Sequence, residues 1–145
     1  MEIYIERLKT FSADIVSAVN SLLAQLNPAS EPLNDEHVKE IIETSSNYFL
    51  AARESVSHKI VGMLTLVVYR IPVWKKAWIE DLVVDKEYRG KGIATKLINH
   101  AIENAKTNRV LSLNLTSRPE KGNANKLYIK LGFKKRDTNV YRIEL

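Results

Sequence analysis

Between Ala77 and Ala105 the hydrophobic period of the chain changes from that of a strand to that of a helix, and two glycines sit at the change. Residues Ala77–Val84 read as a strand, and Asp85–Tyr88 as a turn. Beyond Arg89-Gly90-Lys91-Gly92, the residues Ala94, Leu97, Ile98, Ala101, Ile102 and Ala105 recur at i, i+3, i+4, i+7, i+8 and i+11, one apolar stripe of a helix. A strand, a tight glycine loop and a helix start in direct succession bring free backbone N–H groups and the positive end of a helix dipole to one point. Such a point attracts an anion, and phosphate above all. Glycine is needed there because a Cβ would keep phosphate oxygens off the backbone and would disfavour any φ above zero. Arg89 and Lys91 add neutralising charge. The loop is not a nucleotide-triphosphate cradle, since no Gly-Lys-Ser/Thr closes it. The dinucleotide pattern G-x-G-x-x-G is also incomplete, with Thr95 where its third glycine would stand.

The rest of the pattern surrounds this unit with strands and helices. Glu2–Arg7 alternates like a strand. From Ser12, a candidate N-cap, Ile15, Val19, Leu22, Leu23 and Leu26 keep helical spacing until Asn27-Pro28 stops them. Asn34 is placed to cap a second helix, with Asp35 and Glu36 in its first turn, inward Val38, Ile41 and Ile42, and an end near Ser45. Tyr48–Glu54, Lys59–Arg70 and Ala77–Val84 form an antiparallel meander. Val110–Thr116 alternates as another strand. Ala124, Leu127, Tyr128 and Leu131 mark a short helix stopped by Gly132. Phe133–Arg136 and Val140–Leu145 are expected to close the chain as a hairpin across Asp137-Thr138-Asn139. The expected order, βααβββαβαββ, is that of an α+β protein with a mixed, mostly antiparallel sheet flanked by helices.

At 145 residues the chain suits one domain, residues 1–145, with a core large enough to need no disulfide or metal. It contains no Cys, which removes thiol nucleophiles and thiolate metal sites and fits a cytoplasmic location. His37, His58 and His100 do not pair at metal-ligand spacing, so no metal is expected. The longest nearly apolar run, Ile60–Tyr69, falls short of the roughly 18 residues of a membrane span, and no membrane partner is expected. A net charge of +5 admits a polyanionic small molecule or nucleic acid as partner. The cations gather in small groups, Arg89/Lys91/Lys96 and Lys134-Lys135-Arg136, with acids between them. This favours a local anion site over a nucleic-acid face, so no nucleic acid is expected.

Arg89-Gly90-Lys91-Gly92-Ile93-Ala94 resembles the Arg/Gln-x-x-Gly-x-Gly/Ala signature of the GNAT superfamily of N-acetyltransferases at every defined position. The preceding Ile79-Glu80-Asp81-Leu82-Val83-Val84-Asp85 looks like the family's fourth strand, and Ala124-Asn125-Lys126-Leu127-Tyr128-Ile129-Lys130-Leu131-Gly132-Phe133 looks like its A-x-x-L-Y-x-x-x-G-F helix. The resemblance therefore spans the whole chain. It implies acetyl-CoA as acyl donor, with the pyrophosphate on the amides of Gly90, Lys91, Gly92, Ile93, Ala94 and Thr95 and the pantetheine arm along Leu82, Val83 and Val84. It also implies that Ala77–Val84 and Val110–Thr116 diverge to admit that arm. The implied chemistry is direct attack of a primary amine on the thioester, with a backbone N–H near Val83 for the oxyanion.

The family tyrosine maps to Tyr128, as the acid that protonates the leaving thiolate; the ordinary pKa of a tyrosine is near 10, against roughly 8.5 for a thiol. A packing role in the core is the alternative reading of that ring. Glu80 is the candidate base, with Asp81 as rival, because neighbouring strand residues face opposite sides unless a bulge intervenes. Pairing of Glu80 with Lys75 or Lys76 at the surface is equally compatible with the sequence. Seven residues before the tyrosine the family usually has Asn; Lys121 stands there, and Asn125 is the nearest substitute for the lost cofactor contact. The acceptor is expected from the side of the Asn27–Asn34 loop and the final hairpin, with Trp74, Trp78 and Tyr141 as core or wall residues. The strand containing Glu80 is also similar to that of amino-sugar acetyltransferases. Many members dimerise through sheet edges, which leaves a homodimer open. A CoA-binding regulatory module without turnover is the alternative function.

Overall fold

The computed structural model describes residues 1–145, and its backbone follows the expected order as far as the last helix. The elements are β1 (Ile3–Arg7), α1 (Ala13–Leu26), α2 (Asp35–Glu43), β2 (Asn47–Glu54), β3 (Ile60–Arg70), β4 (Lys75–Val84), a single 3-10 turn (Lys86–Tyr88), α3 (Ile93–Thr107), β5 (Leu113–Asn114) and α4 (Gly122–Lys130). The chain forms two compact units, Met1–Leu115 and Thr116–Leu145. This is an α+β fold with a mostly antiparallel sheet. No helix is long and apolar enough to cross a membrane.

In the first unit the five strands lie in sequence order. β1 to β4 pair antiparallel, and β5 pairs parallel to β4. The apolar stripe of α1 buries Ile15, Val19 and Leu22, and α2 buries Val38 and Ile42. Both pack with Phe49, Ala51, Ile60, Met63 and Val83 on one face of the sheet. Each of the large side chains, Ala51 excepted, contributes about 1.5–3 kcal/mol relative to exposure. Helix α3 covers the opposite face with Ile93, Leu97, Ile98, Ala101 and Ala105. It comes close to β3 because Gly62 has no side chain: a Cβ there would stand 3.2 Å from Leu97 Cδ1 and 3.3 Å from the Val83 carbonyl oxygen.

The helix caps depart from the sequence reading in informative ways. Ser12 is the N-cap of α1, but its hydroxyl donates to the Asp14 carboxylate and caps no backbone N–H. That donated bond is the main cause holding the Asp14 carboxyl below its ordinary pKa. Asn34 does cap α2: its Oδ1 accepts from His37 N at 2.9 Å, and His37 Nδ1 accepts from Asn34 N at 3.2 Å. His37 thus takes the reciprocal place usually filled by Glu or Gln. The Asn27–Asn34 loop is pinned to α1 by Asn20, whose side chain exchanges two hydrogen bonds with Leu33 at 2.8 and 2.9 Å.

In the second unit, α4 ends as expected, with Phe133 N donating to Tyr128 O across Gly132. The expected closing hairpin is absent: Phe133–Arg136 and Val140–Leu145 form no strand. Phe133 is followed by Lys134-Lys135-Arg136, which offers no alternating apolar face to bury. Val140–Leu145 does alternate, yet it has no hydrogen-bonded neighbour within its own chain.

Candidate active site

The end of β4, the 3-10 turn and the start of α3 form the loop singled out by the sequence. Asp85 opens it as a buried residue: its backbone N–H donates to Val61 O at 2.8 Å, and its side chain accepts from Glu87 N at 3.0 Å. Tyr88 N then donates to Asp85 O at 2.8 Å. Gly90 and Gly92 both adopt left-handed φ, of 76° and 77°. A Cβ on either would meet nothing within 4 Å, so the surface of the loop is open. Gly92 is the N-cap of α3 and cannot cap it with a side chain, and the first turn of that helix contains no acid. The first helical donors after Gly92 precede Lys96, whose N–H is the one that reaches Gly92 O, at 3.1 Å. The N–H groups of Ile93, Ala94 and Thr95 therefore have no helical acceptor. Where α2 has Asn34 accepting from His37 N and two acids in its first turn, α3 has neither a side-chain cap nor a first-turn acid.

The cations around the loop are sorted by their contacts. Arg89 folds back, its Nε donating to Val84 O at 3.0 Å, which ties the loop to the end of β4. Lys91 Nζ lies 5.3 Å from the Tyr88 ring centroid, and Lys59 Nζ lies 5.4 Å from it. Lys59 was not legible as a site residue, since it is distant in sequence and sits next to a hairpin turn. Lys96 turns away to donate to Ile3 O at 3.2 Å, so it anchors β1. No three His, Cys, Asp or Glu side chains gather where they could hold a metal ion.

β4 lacks a partner on one side over most of its length. Its parallel pairing with β5 covers only Ala77 with Leu113 and Trp78 with Asn114. From Ile79 to Val84 no residue of β5 pairs with β4, and on this stretch the Val84 carbonyl oxygen accepts from Arg89 Nε. The expected strand Val110–Thr116 is thus reduced to two residues. Asn114 fills the fork, donating from Nδ2 to Ala77 O at 3.4 Å. The ladder between β4 and β5 therefore ends at Trp78 and Asn114.

A β-bulge lies next to this opening. Met63 pairs with Val83 but Thr65 pairs with Glu80, so β4 has one extra residue opposite Leu64. Asp81 takes the strain, with φ 49°. Because Thr65 pairs with Glu80 and Val67 with Trp78, both Glu80 and Trp78 stand on the face that Met63 shares with α1. Trp78 Nε1 donates to Tyr69 Oη at 2.9 Å on that face, a partnership not foreseen from the sequence. Glu80 and Asp81 are both exposed, and neither makes an ion pair with Lys75 or Lys76. Partial burial raises the Glu80 pKa above the ordinary carboxylate value, and the charge of Asp81 raises it further. In Asp81→Asn, the Glu80 titration midpoint followed by NMR is therefore expected to move down, yet to stay above that of a free glutamate, because burial is the larger cause. No movement would mean that the two carboxylates do not sense each other.

Trp74 is exposed, its Nε1 donating to Arg109 O at 2.8 Å, and the other sequence-predicted residues belong to the second unit. Tyr128 on α4 is half-buried and packs edge-on against Phe133, with ring centroids 6.0 Å apart. Burial raises its pKa above the ordinary tyrosine value. Asn125 Nδ2 donates to Arg118 O at 2.9 Å, so its amide holds the turn before α4. Lys121 is the N-cap of α4 and makes no side-chain cap. Tyr141 is 88% exposed and belongs to no core or wall.

Residues 16–133 match the model of the acetyltransferase (GNAT) family. A comparison with curated proteins gives no match. Among solved structures, an acetyltransferase from Trypanosoma brucei superposes with TM-score 0.82 at 23% identity, covering 99% of this chain and 100% of that one. Glucosamine-6-phosphate N-acetyltransferase from Arabidopsis thaliana gives TM-score 0.83 at 21% identity, covering 99% of each chain. An aminoglycoside acetyltransferase from an uncultured soil metagenomic sample gives TM-score 0.85 at 20% identity, covering 99% of this chain and 95% of that one. At these identities the superpositions establish the shared fold.

Proposed function

Since the chain belongs to the GNAT acetyltransferase family, we propose that residues 1–145 act as one domain that transfers the acetyl group of acetyl-CoA to a primary amine. The observation that carries this reading is the uncapped, acid-free N-terminus of α3 behind two left-handed glycines, at the end of a strand whose outer edge is open. The pyrophosphate would accept from the amides of the Gly90–Thr95 loop, as an anion does at any helix start. The pantetheine arm would run along Leu82–Val84, the stretch of β4 that β5 leaves without a partner. Lys91 and Lys59, both close to the Tyr88 ring, would supply countercharge to the phosphates.

The amine nitrogen attacks the thioester carbonyl carbon, the C–N bond forms, and the C–S bond breaks. The nitrogen gives up a proton and the departing sulfur takes one, so the reaction closes without a metal or a redox step. Glu80, with its raised pKa, is a stronger base than an ordinary carboxylate and is the proposed first acceptor of the amine proton, directly or through water. Tyr128 is the proposed donor to sulfur. The exposed carboxylates of Glu80 and Asp81 also favour an acceptor that arrives as a cation, and the Trp78–Tyr69 pair on the same face as Glu80 gives it a flat apolar wall. A small amine, an amino sugar among them, fits this combination.

The test is release of free CoA thiol from acetyl-CoA over polyamines, amino sugars, aminoglycosides, amino acids and short peptides. Saturable turnover with one class supports the reading and names the acceptor. Silence with every class, together with saturable acetyl-CoA binding, would favour a CoA-binding regulatory module.

A further inference from the structure

The hairpin that joins β3 to β4 opposes two positive charges. Ile71 N donates to Trp74 O at 3.0 Å across its turn, and the next pair along the ladder is Arg70 with Lys75. This pair exchanges no backbone hydrogen bonds, since the Lys75 carbonyl turns the other way and accepts from Leu111 N at 3.4 Å. In pairs of that kind the side chains stand closest, and like charges directly opposite each other destabilise a sheet. Neither residue forms an ion pair. Arg70 is held instead with its Cζ 4.7 Å from the centroid of the Trp74 ring, and Trp74 is fixed in turn by its Nε1, which donates to Arg109 O at 2.8 Å.

Arg70 and Lys75 line a cavity of about 400 Å³, which Ser45, Ser46, Tyr48 and Asn108 also line and to which no carboxylate contributes. A third cation is close by, with Arg7 Cζ 3.7 Å from the Tyr48 ring centroid. The Tyr48 hydroxyl donates to Asn108 Oδ1 at 3.0 Å, and Asn108 donates from both N and Nδ2 to Asn104 O, which occupies a carbonyl at the negative end of α3. Positive charge therefore dominates the cavity. We propose that it binds the phosphate group of a small phosphate monoester, at a second site separate from the glycine loop. A phosphate monoester bears about 1.5 to 2 negative charges near neutral pH, a match for one guanidinium and one ammonium. Its oxygens suit the planar fork of Arg70 together with hydroxyl donors from Ser45 and Ser46. The volume lies in the range of pockets for small organic ligands, so the rest of the molecule has room beside Tyr48. An anion between Arg70 and Lys75 also relieves their repulsion.

The site is distinct from both parts of the proposed active site. Gly62 faces Leu97 of α3, and Arg70 follows it on the same face of β3 through Leu64, Leu66 and Val68. Glu80 and Trp78 stand on the other face of the sheet. The cavity lies at the Asn108 end of α3, and the fifteen residues of that helix put about 22 Å between it and the glycine loop. The proposal therefore does not rest on the enzymatic reading.

Amide NMR of the full chain, titrated with ribose 5-phosphate at constant ionic strength, tests it, with inorganic phosphate and ribose as comparison ligands. Ribose 5-phosphate is expected to give saturable shifts at Ser45, Ser46, Arg70, Lys75 and Asn108, inorganic phosphate the same set at higher concentration, and ribose none. Arg70→Gln combined with Lys75→Gln is expected to weaken ribose 5-phosphate at least about tenfold and to leave acetyl-CoA affinity unchanged. Without ligand, Lys75→Gln is expected to melt about a degree or two above wild type, because the like-charge pair is gone, which also reports that the fold is intact. Ribose 5-phosphate should then raise the melting temperature of the wild type and not that of the double variant. Shifts confined to Gly90–Thr95, shifts that fail to saturate, binding of inorganic phosphate alone, or equal affinity of the double variant and wild type would overturn the proposal.

Discussion

Gly92→Glu is expected to weaken acetyl-CoA binding at least about a hundredfold while leaving the protein folded. Gly92 has φ 77°, so any side chain there costs about 1–2 kcal/mol in backbone strain. Nothing lies within 4 Å of its missing Cβ, so no clash is added. A carboxylate at the start of α3 recovers part of the strain, about 0.3–1 kcal/mol, by interacting with the helix dipole. The melting temperature should fall by only a few degrees. The ligand suffers far more. The new carboxylate competes for the amides of Ile93–Thr95 and repels the pyrophosphate, and each charge-assisted hydrogen bond lost is worth about 1.5–3 kcal/mol. A hundredfold loss of affinity corresponds to about 2.8 kcal/mol, within reach of one or two such bonds. Gly92→Ala separates the effects, because it introduces the same strain without the charge and should retain affinity within about tenfold. Calorimetric titration of acetyl-CoA into both variants reads the difference. Equal affinity of Gly92→Glu and wild type would remove this loop as the phosphate site.

The reason Gly92 could be singled out from sequence is that its neighbourhood combines two strong local signals. The 3.6-residue stripe from Ala94 to Ala105 and the glycine pair before it each have one physical explanation, and the explanations agree. The bulge at Asp81 had no such signal. Asp tolerates a left-handed conformation better than most residues, but nothing in Glu80-Asp81-Leu82 distinguishes a bulged strand from a regular one. Yet the bulge decides which way Glu80 faces and how it senses Asp81. Lys96 and Lys59 show the same limit for charge. Lys96 is close to the loop in sequence but is spent on Ile3 O, while Lys59 comes in from another strand to the ring of Tyr88. Sequence proximity counts cations; only tertiary contacts say where they act. The expected closing hairpin does not form, because alternation at Val140–Leu145 marks a segment suited to a strand without fixing a neighbour for it to pair with.

Tyr128→Phe is the second large effect, an expected fall in kcat of about a hundredfold or more with KM for acetyl-CoA changed by no more than about threefold. The substitution keeps the ring against Phe133 and removes only the hydroxyl, so packing in α4 should survive. An ordinary tyrosine has a pKa near 10 and a thiol roughly 8.5, so complete transfer of the phenol proton to a free thiolate is uphill by about 2 kcal/mol, and burial of Tyr128 steepens it. The hydroxyl can still assist by donating its hydrogen bond as negative charge grows on sulfur, with the proton passing over as the C–S bond breaks and the amine proton making up the balance. Burial helps in another way. It keeps Tyr128 protonated, and hence competent as a donor, to higher pH than an exposed tyrosine. Activity that needs the protonated phenol is lost as pH rises through its pKa, and a raised pKa moves that loss upward. The kcat profile of the wild type should therefore hold past the ordinary tyrosine range before it falls. In Tyr128→Phe that alkaline limb should vanish along with most of the rate. A variant that keeps the full rate, or keeps the same limb at reduced rate, would assign the proton to another group and return Tyr128 to a packing role.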